Sequence, residues 1–266
     1  MAGAPWVWPP IVGGGLGSAS LSGPAVLWDG RVYPKSVPLP SVSASDEFRD
    51  AAAFATRWTT WDHAGWQTRT IDPVTGSLII TGTANANNRA GGVMQALSAN
   101  DEMQFIARCA IDCDPAGDAT HGINVGLFFA ADGSSAASAL RTIQVIASAP
   151  AANELQLRYE RPWVNYTTPS GGTDQGWTGN DIWFRMRILV GPGALTTWWN
   201  DWSTDGWNWQ TLNGVNARTV GYAAKNWGLF MDANNSKPCR VRFQHCRVWR
   251  GAGALGFNYA LNGGPL

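Results

Sequence analysis

The sequence predicts an all-β protein, an antiparallel β-sandwich with an extended arm at each end. Three observations predict it. Short runs carry apolar residues at every second position, clusters of Gly, Asn, Asp and Pro separate those runs, and no long segment has a helical period. Side chains alternate faces along a strand, so such runs give sheets with one buried face and one solvated face.

Residues 1–44 are rich in Pro, Gly and Ser and sustain no strand or helix period, so an extended arm is expected there. The arm is too apolar for a solvated linker, and Trp6, Trp8 and Trp28 are expected to lie against another subunit. Residues 45–250 hold the strands. Leu78 and Ile80 alternate in SLIITGT, and Met103, Phe105, Ala107, Cys109 and Ile111 share one face of EMQFIARCAID. Ile123, Val125, Leu127 and Phe129 do so in GINVGLFF, as do Leu155, Leu157 and Tyr159 in ELQLRYE. In WFRMRIL, Phe184, Met186 and Ile188 oppose Arg185 and Arg187; near the end, Val241 and Phe243 alternate with Arg240, Arg242 and Gln244. The Gly-rich tail, residues 251–266, alternates Leu255, Phe257, Tyr259 and Leu261, a pattern suited to adding a strand to a neighbouring sheet.

The stretch WWNDWSTDGWNW, Trp198 to Trp209, holds five of the chain's 16 tryptophans. Asp205-Gly206 is a hairpin signal, because Gly takes positive φ freely and Asp tolerates it. A two-residue turn there puts Trp202 opposite Trp209 and Thr204 opposite Trp207. One face then carries Trp198, Trp202, Trp207 and Trp209; the other carries Asp201, Ser203, Asn208 and Gln210, with Trp199 farther from the turn.

Lys+Arg and Asp+Glu are both 19, so no charge excess points to nucleic acid or an acidic membrane surface. Charged residues are only 14% of the chain, which suits a surface partly covered by neighbours. No stretch approaches a membrane span, and the N-terminus, without Lys or Arg, does not read as a signal peptide. Cys109, Cys113, Cys239 and Cys246 form no CxxC pair. Buried thiols are expected, since the spacing of these cysteines with His121 and His245 matches no zinc motif.

The order of pieces carries a resemblance. Asp46-Glu47-Phe48 is followed by Trp58, then Gly76-Ser77-Leu78, a long strand at Phe105 and a glycine-bearing strand from Gly122 to Phe129. Trp183-Phe184-Arg185-Met186-Arg187 precedes Ser203-Thr204-Asp205-Gly206-Trp207-Asn208-Trp209, and a last strand ends near Trp249. This pattern resembles the concanavalin A-like lectin/glucanase jelly roll, especially its laminin-G-like and non-catalytic bacterial branches, over residues 46–250. The resemblance implies two curved sheets, with glycans on the concave face or on loops at one edge. It implies that Trp209 packs the turn against the sheet and that Trp183 is structural. Trp163, Trp177, Trp202 and Trp207, in or beside expected loops, are then the glycan-binding candidates.

The glucanases of that superfamily carry an E-x-D-x-x-E strand, and glycoside hydrolysis needs two carboxylates roughly 5 to 10 Å apart. The four glutamates, Glu47, Glu102, Glu154 and Glu160, do not form it. No G-x-S-x-G, phosphate loop or HExxH is present. Asp112, Asp114 and Asp118 could ligate calcium but lack the spacing of a known loop, so neither metal nor cofactor is expected. The expected protein is a non-catalytic bacteriophage virion subunit, a tail fibre, tail appendage or capsid decoration protein. It would be made in the host cytoplasm and assembled as a homo-oligomer, a trimer being one form, through Trp6, Trp8, Trp28, Phe257 and Tyr259. Its other partners would be virion proteins and host-surface polysaccharide. The alternative is a lectin module of a polysaccharide-degrading system; a diverged glycosidase or lyase comes third.

Overall fold

The computed structural model describes residues 25–28, 31–34, 43–62, 67–82, 89–98, 101–111, 123–131, 141–147, 155–159, 175–177, 181–193, 195–206, 208–211, 218–233 and 239–251. The strands, with one helix, are β1 (Ala25–Trp28), β2 (Arg31–Pro34), α1 (Ala51–Arg57), β3 (Thr59–Asp62), β4 (Gln67–Asp72), β5 (Ser77–Gly82), β6 (Arg89–Ala96) and β7 (Glu102–Ile111). They continue with β8 (Ile123–Ala130), β9 (Arg141–Ala147), β10 (Leu155–Tyr159), β11 (Gln175–Trp177), β12 (Asp181–Gly191) and β13 (Leu195–Ser203). The last are β14 (Gln210–Thr211), β15 (Arg218–Val220), β16 (Asn226–Ala233) and β17 (Cys239–Arg250). For β1, β2, β9, β10 and β11 the backbone alone is described.

A seven-stranded sheet has the order β11-β10-β9-β8-β16-β6-β3, and an eight-stranded sheet has β14-β13-β12-β7-β17-β5-β4 with β15 also beside β13. Their inner faces meet in one core. Phe105 of β7 lies 4.6 Å from Trp227 of β16, and Phe129 of β8 lies 5.2 Å from Trp198 of β13, so both aromatic pairs join one sheet to the other. Leu78, Ile80, Met103, Val125, Leu127, Phe184, Met186, Ile188, Val241 and Phe243 all belong to this core, as their alternation predicts. The outer face of the seven-stranded sheet carries a second, smaller cluster of Trp61, Met94, Phe128, Ala130 and Phe230. Two glycines let the strands beneath it approach: a Cβ at Gly92 would collide with the Leu229 carbonyl, and one at Gly228 with the Val93 carbonyl.

Ala44 is buried in the core. Asp46 and Cys246 exchange backbone hydrogen bonds of 2.8 Å. Asp46 Oδ1 accepts from the Phe48 amide at 2.7 Å and Oδ2 from Trp58 Nε1 at 3.0 Å. Burial pushes the Asp46 carboxyl above the usual range, against these hydrogen bonds and the Arg57 guanidinium, which pull it down. The tether holds Phe48 at φ 53°, a left-handed conformation unfavourable for an aromatic residue. In that position its ring is fully buried between Phe54 and Trp58. Asp50 caps α1 by accepting from the amides of Ala52 and Ala53. The Asp-Glu-Phe motif and Trp58 are thus one interlocked corner.

Two expectations are corrected. The arm is not featureless, because β1 and β2 pair as a hairpin with Trp28 opposite Arg31. The Asp205-Gly206 turn is not a two-residue one: β13 and β14 pair Asp201 with Thr211 and Trp202 with Gln210. Ser203 Oγ accepts from the amides of Asp205 and Gly206, and Asp205 Oδ1 accepts from the Asn208 amide, which widens the loop. Gly206 takes φ 75° within it.

In β17 the register with β7 shifts between Phe243 and His245. Cys246 and Val248 therefore point into the core, while His245, Arg247 and Trp249 lie on the outer face. Cys109 and Cys246 are buried thiols, as expected; Cys113 and the Cys239 side chain lie outside the described residues. Burial pushes the Cys246 thiol well above its ordinary range, and Asp46 and Glu47 push the same way. Native protein treated with iodoacetamide should therefore yield unmodified Cys109 and Cys246 on peptide mapping, because only the thiolate reacts. Alkylation of Cys246 before unfolding would refute its inaccessibility.

Candidate functional site: an arginine–tryptophan face

The outer face of the eight-stranded sheet is built from the residues that alternate with the core. Strand register sets Ser203, Trp183, Arg108 and His245 in one row, and Asp201, Arg185, Ile106 and Arg247 in the next. A third row is Trp199, Arg187, Gln104 and Trp249. The W-F-R-M-R run supplies the centre, since the parity that buries Phe184 and Met186 turns Trp183, Arg185 and Arg187 outward.

Asp201 organises this face. Its side chain is 1% exposed, and its Oδ2 lies 2.8 Å from Arg185 Nε and 3.1 Å from Arg187 Nη2. Thr211 Oγ1 donates to Oδ1 at 2.8 Å. Burial draws the Arg185 guanidinium below its usual range; Asp201 opposes that shift and the Arg187 charge adds to it. Each of these arginines also covers an indole: Arg185 Cζ is 4.6 Å from the Trp209 ring centre, and Arg187 Cζ is 5.5 Å from that of Trp199. Such cation–π contacts orient ring and guanidinium together. Trp199 and Trp209 are half-buried, so each indole is held without being enclosed. Farther along, Arg108 covers Trp183 at 5.7 Å, Trp183 meets His245 at 4.9 Å, and Arg247 makes a two-point bond to Glu47.

The sequence-based candidates fare differently. Trp202 is a correction: it is 7% exposed and belongs to the core cluster with Trp198, on the opposite side of β13. Trp163 and Trp207 lie outside the described residues, and Trp177 is described only as backbone of β11. Trp6, Trp8, Phe257 and Tyr259 also lie outside, Trp28 is placed only as backbone of β1, and Asp112, Asp114 and Asp118 are not described. Trp209, which the resemblance makes a packing residue of the turn, lies half-buried beside Arg185 on the outer face. Sequence reasoning missed Trp199 and Trp209 as a platform. The signal for Trp199 was its shared parity with Asp201 and Ser203; Trp209 was hidden by the one-residue difference in turn register.

A cleft of about 280 Å³ beside α1 is lined by Ser45, Asp46, Glu47, Arg49, Asp50, Ala53 and Arg57. Its carboxylates all have structural partners: Asp46 holds Phe48 and Trp58, Glu47 binds Arg247, and Asp50 caps the helix. Among the described residues no group of three His, Cys, Asp or Glu side chains is placed to hold a metal. His245 and the core thiols of Cys109 and Cys246 face opposite sides of the sheet.

Two facing antiparallel sheets in this strand order make a jelly-roll β-sandwich. No family model and no curated protein matches the sequence. Among solved structures the chain is similar to a bifunctional GH43-CE protein of Bacteroides eggerthii, with a TM-score of 0.54 and 14% identity over 85% of this chain. It spans 30% of the length of that protein. It is also similar to a conserved carbohydrate esterase from the Shiga toxin-encoding bacteriophage phi24B (TM-score 0.47, 11% identity, 79% of this chain and 98% of that one). A Lotus tetragonolobus seed lectin gives a TM-score of 0.44 at 9% identity, over 73% of this chain and 98% of that chain. The likeness to the Bacteroides protein shows the fold alone.

Proposed function

We propose that the protein is a non-catalytic, glycan-binding sandwich that serves as a bacteriophage virion subunit, in a tail fibre, a tail appendage or a capsid decoration. The observation that carries the glycan reading is the pair of half-exposed indoles, Trp199 and Trp209, each backed by a guanidinium that buried Asp201 holds in place. Flat aromatic faces stack on the apolar faces of sugar rings, and a pre-positioned ring loses little freedom on binding. The structural use of Asp46, Glu47, Asp50 and Asp201 supports the non-catalytic reading. The virion reading rests on low charge and on the Trp-bearing arms, with Trp6, Trp8, Trp28, Phe257 and Tyr259 as assembly contacts. A lectin module within a larger polysaccharide-degrading protein is the second reading, in keeping with the 30% of the Bacteroides protein that the fold spans.

One aromatic site binds weakly, and copies on one assembly gain roughly 10²–10⁴ in avidity. The test incubates the full-length protein with host-surface polysaccharide and measures both retention and released reducing ends. Retention that is lost in Trp199→Ala and in Trp209→Ala, with no new reducing ends, is the expected result. Release of reducing ends would overturn the non-catalytic reading. Undiminished retention by both variants would remove the platform.

A further inference from the structure

We infer that the Trp199–Trp209 face selects acidic polysaccharides, chains bearing carboxylate or sulfate groups, over neutral ones. The inference rests on the glycan-binding reading and adds the ligand's charge. Two guanidiniums, Arg185 and Arg187, share a single carboxylate, so the triad at the foot of the indoles carries one uncompensated positive charge. That charge is reachable at one end only. Arg185 and Asp201 are 9% and 1% exposed at their side chains, whereas Arg187 is 22% exposed and stacks on Trp199. Asp201 is saturated by Arg185, Arg187 and Thr211, so it neither accepts from a sugar hydroxyl nor meets an incoming anion directly. Arg187 Nε is buried, so what remains reachable of this charge is the half-buried remainder of the side chain.

The hairpin side of the face is neutral, whereas Glu102 of β7 lies one row beyond Arg187 on the same face. Asn208, Gln210, Thr211 and Thr219 are exposed and neutral. Asp205, the carboxylate of the adjoining turn, is engaged within its loop by Ser203 Oγ, the Asn208 amide and Asn208 Nδ2. A sugar ring seated on Trp199 therefore lies beside a partly exposed cation that attracts a carboxylate or sulfate. The chain as a whole has equal numbers of acidic and basic residues, so the preference is local and not a consequence of net charge.

The experiment immobilises two matched pairs of polymers: dextran sulfate with dextran, and polygalacturonate with its methyl ester. Binding of the full-length protein to each is measured by biolayer interferometry. Within each pair the backbone is common and the anion is the variable; between pairs, sulfate is separated from carboxylate. The expected result is tighter binding of at least one acidic polymer than of its neutral partner by roughly tenfold or more, the value of a charge-assisted hydrogen bond, weakening as salt is raised. Arg187→Gln should abolish that selectivity, Arg187→Lys should keep much of it, and Trp199→Ala should abolish binding to the acidic polymer. Equal binding within both pairs overturns the charge selectivity and leaves the glycan-binding reading standing. No binding to any polymer overturns both. Acidic binding undiminished in Trp199→Ala shows general polyanion attraction and also overturns the inference. Circular dichroism of each variant confirms folding, and Arg187→Lys serves as the readout if Arg187→Gln unfolds.

Discussion

Replacing Asp201 with Asn should lower stability by about 3–5 kcal/mol, the usual cost of removing one member of a buried ion pair. The carboxylate is 1% exposed and pairs with two guanidiniums, one of them on a side chain 9% exposed, so water cannot take its place at Arg185. The amide preserves shape and one acceptor but cancels the charge, leaving two arginines repelling across a closed site. In thermal unfolding the loss corresponds to a fall of roughly 10 °C for a domain of this size. Adding Arg185→Met to Asp201→Asn should recover part of that loss, since it removes the cation left unpaired. A change below about 1 kcal/mol, the value of an exposed pair, would show that the triad is solvated.

Trp227→Ala should cost about 3–5 kcal/mol, and Trp209→Ala only about 1 kcal/mol. Trp227 is fully buried where the sheets meet, 4.6 Å from Phe105 and 5.4 Å from Trp58, so truncation opens a cavity that neither sheet can close alone. Trp209 is half-buried and makes its described ring contact with Arg185. Urea midpoints of the two variants measure the contrast. Comparable losses would mean that the Trp209 indole is a packing element and not a presented surface. A two-residue turn would have placed Trp209 on the core side with Trp202; the observed register reverses that expectation.

Much of the sandwich was legible because the eight-stranded sheet has chemically different faces. Phe184 and Met186 against Arg185 and Arg187 give an alternation that no helix would produce. In the seven-stranded sheet β6 and β16 were harder to read. Their outer residues Met94 and Phe230 are as apolar as the inner Val93 and Met231, and glycines interrupt the pattern. A sheet packed on both faces reads as a continuous apolar run. The α1 helix was missed because seven residues are too short to show a period, although Asp50 is a typical cap. The β1–β2 hairpin carried a plain signal: AVLW and RVYP are separated by Asp29-Gly30, a two-residue spacing that matches the observed pairing. The same dipeptide at 205–206 opens a longer loop, because the Ser203 hydroxyl and Asp205 carboxylate capture amides that a tight turn would leave to the ladder. Trp199 shows the limit for the site. Its parity was readable, but its guanidinium backing depends on pairing across β12 and β13, which local patterning does not reveal.

The irregularity at Gln244 acts as a reading-frame correction within a single strand. Strict alternation from Val241 and Phe243 would carry Arg247 into the interior and expel Val248. One extra residue resets the phase, so the second half of β17 again presents apolar groups inward. Gln244 is therefore the one residue of the strand that the ladder does not count, since Phe243 and His245 oppose the consecutive residues Cys109 and Arg108. Deleting it would join two runs that are already in phase, whereas a one-residue insertion or deletion within either run would turn the side chains beyond it to the wrong face. The last strand of the sandwich can lose this letter and keep its reading frame.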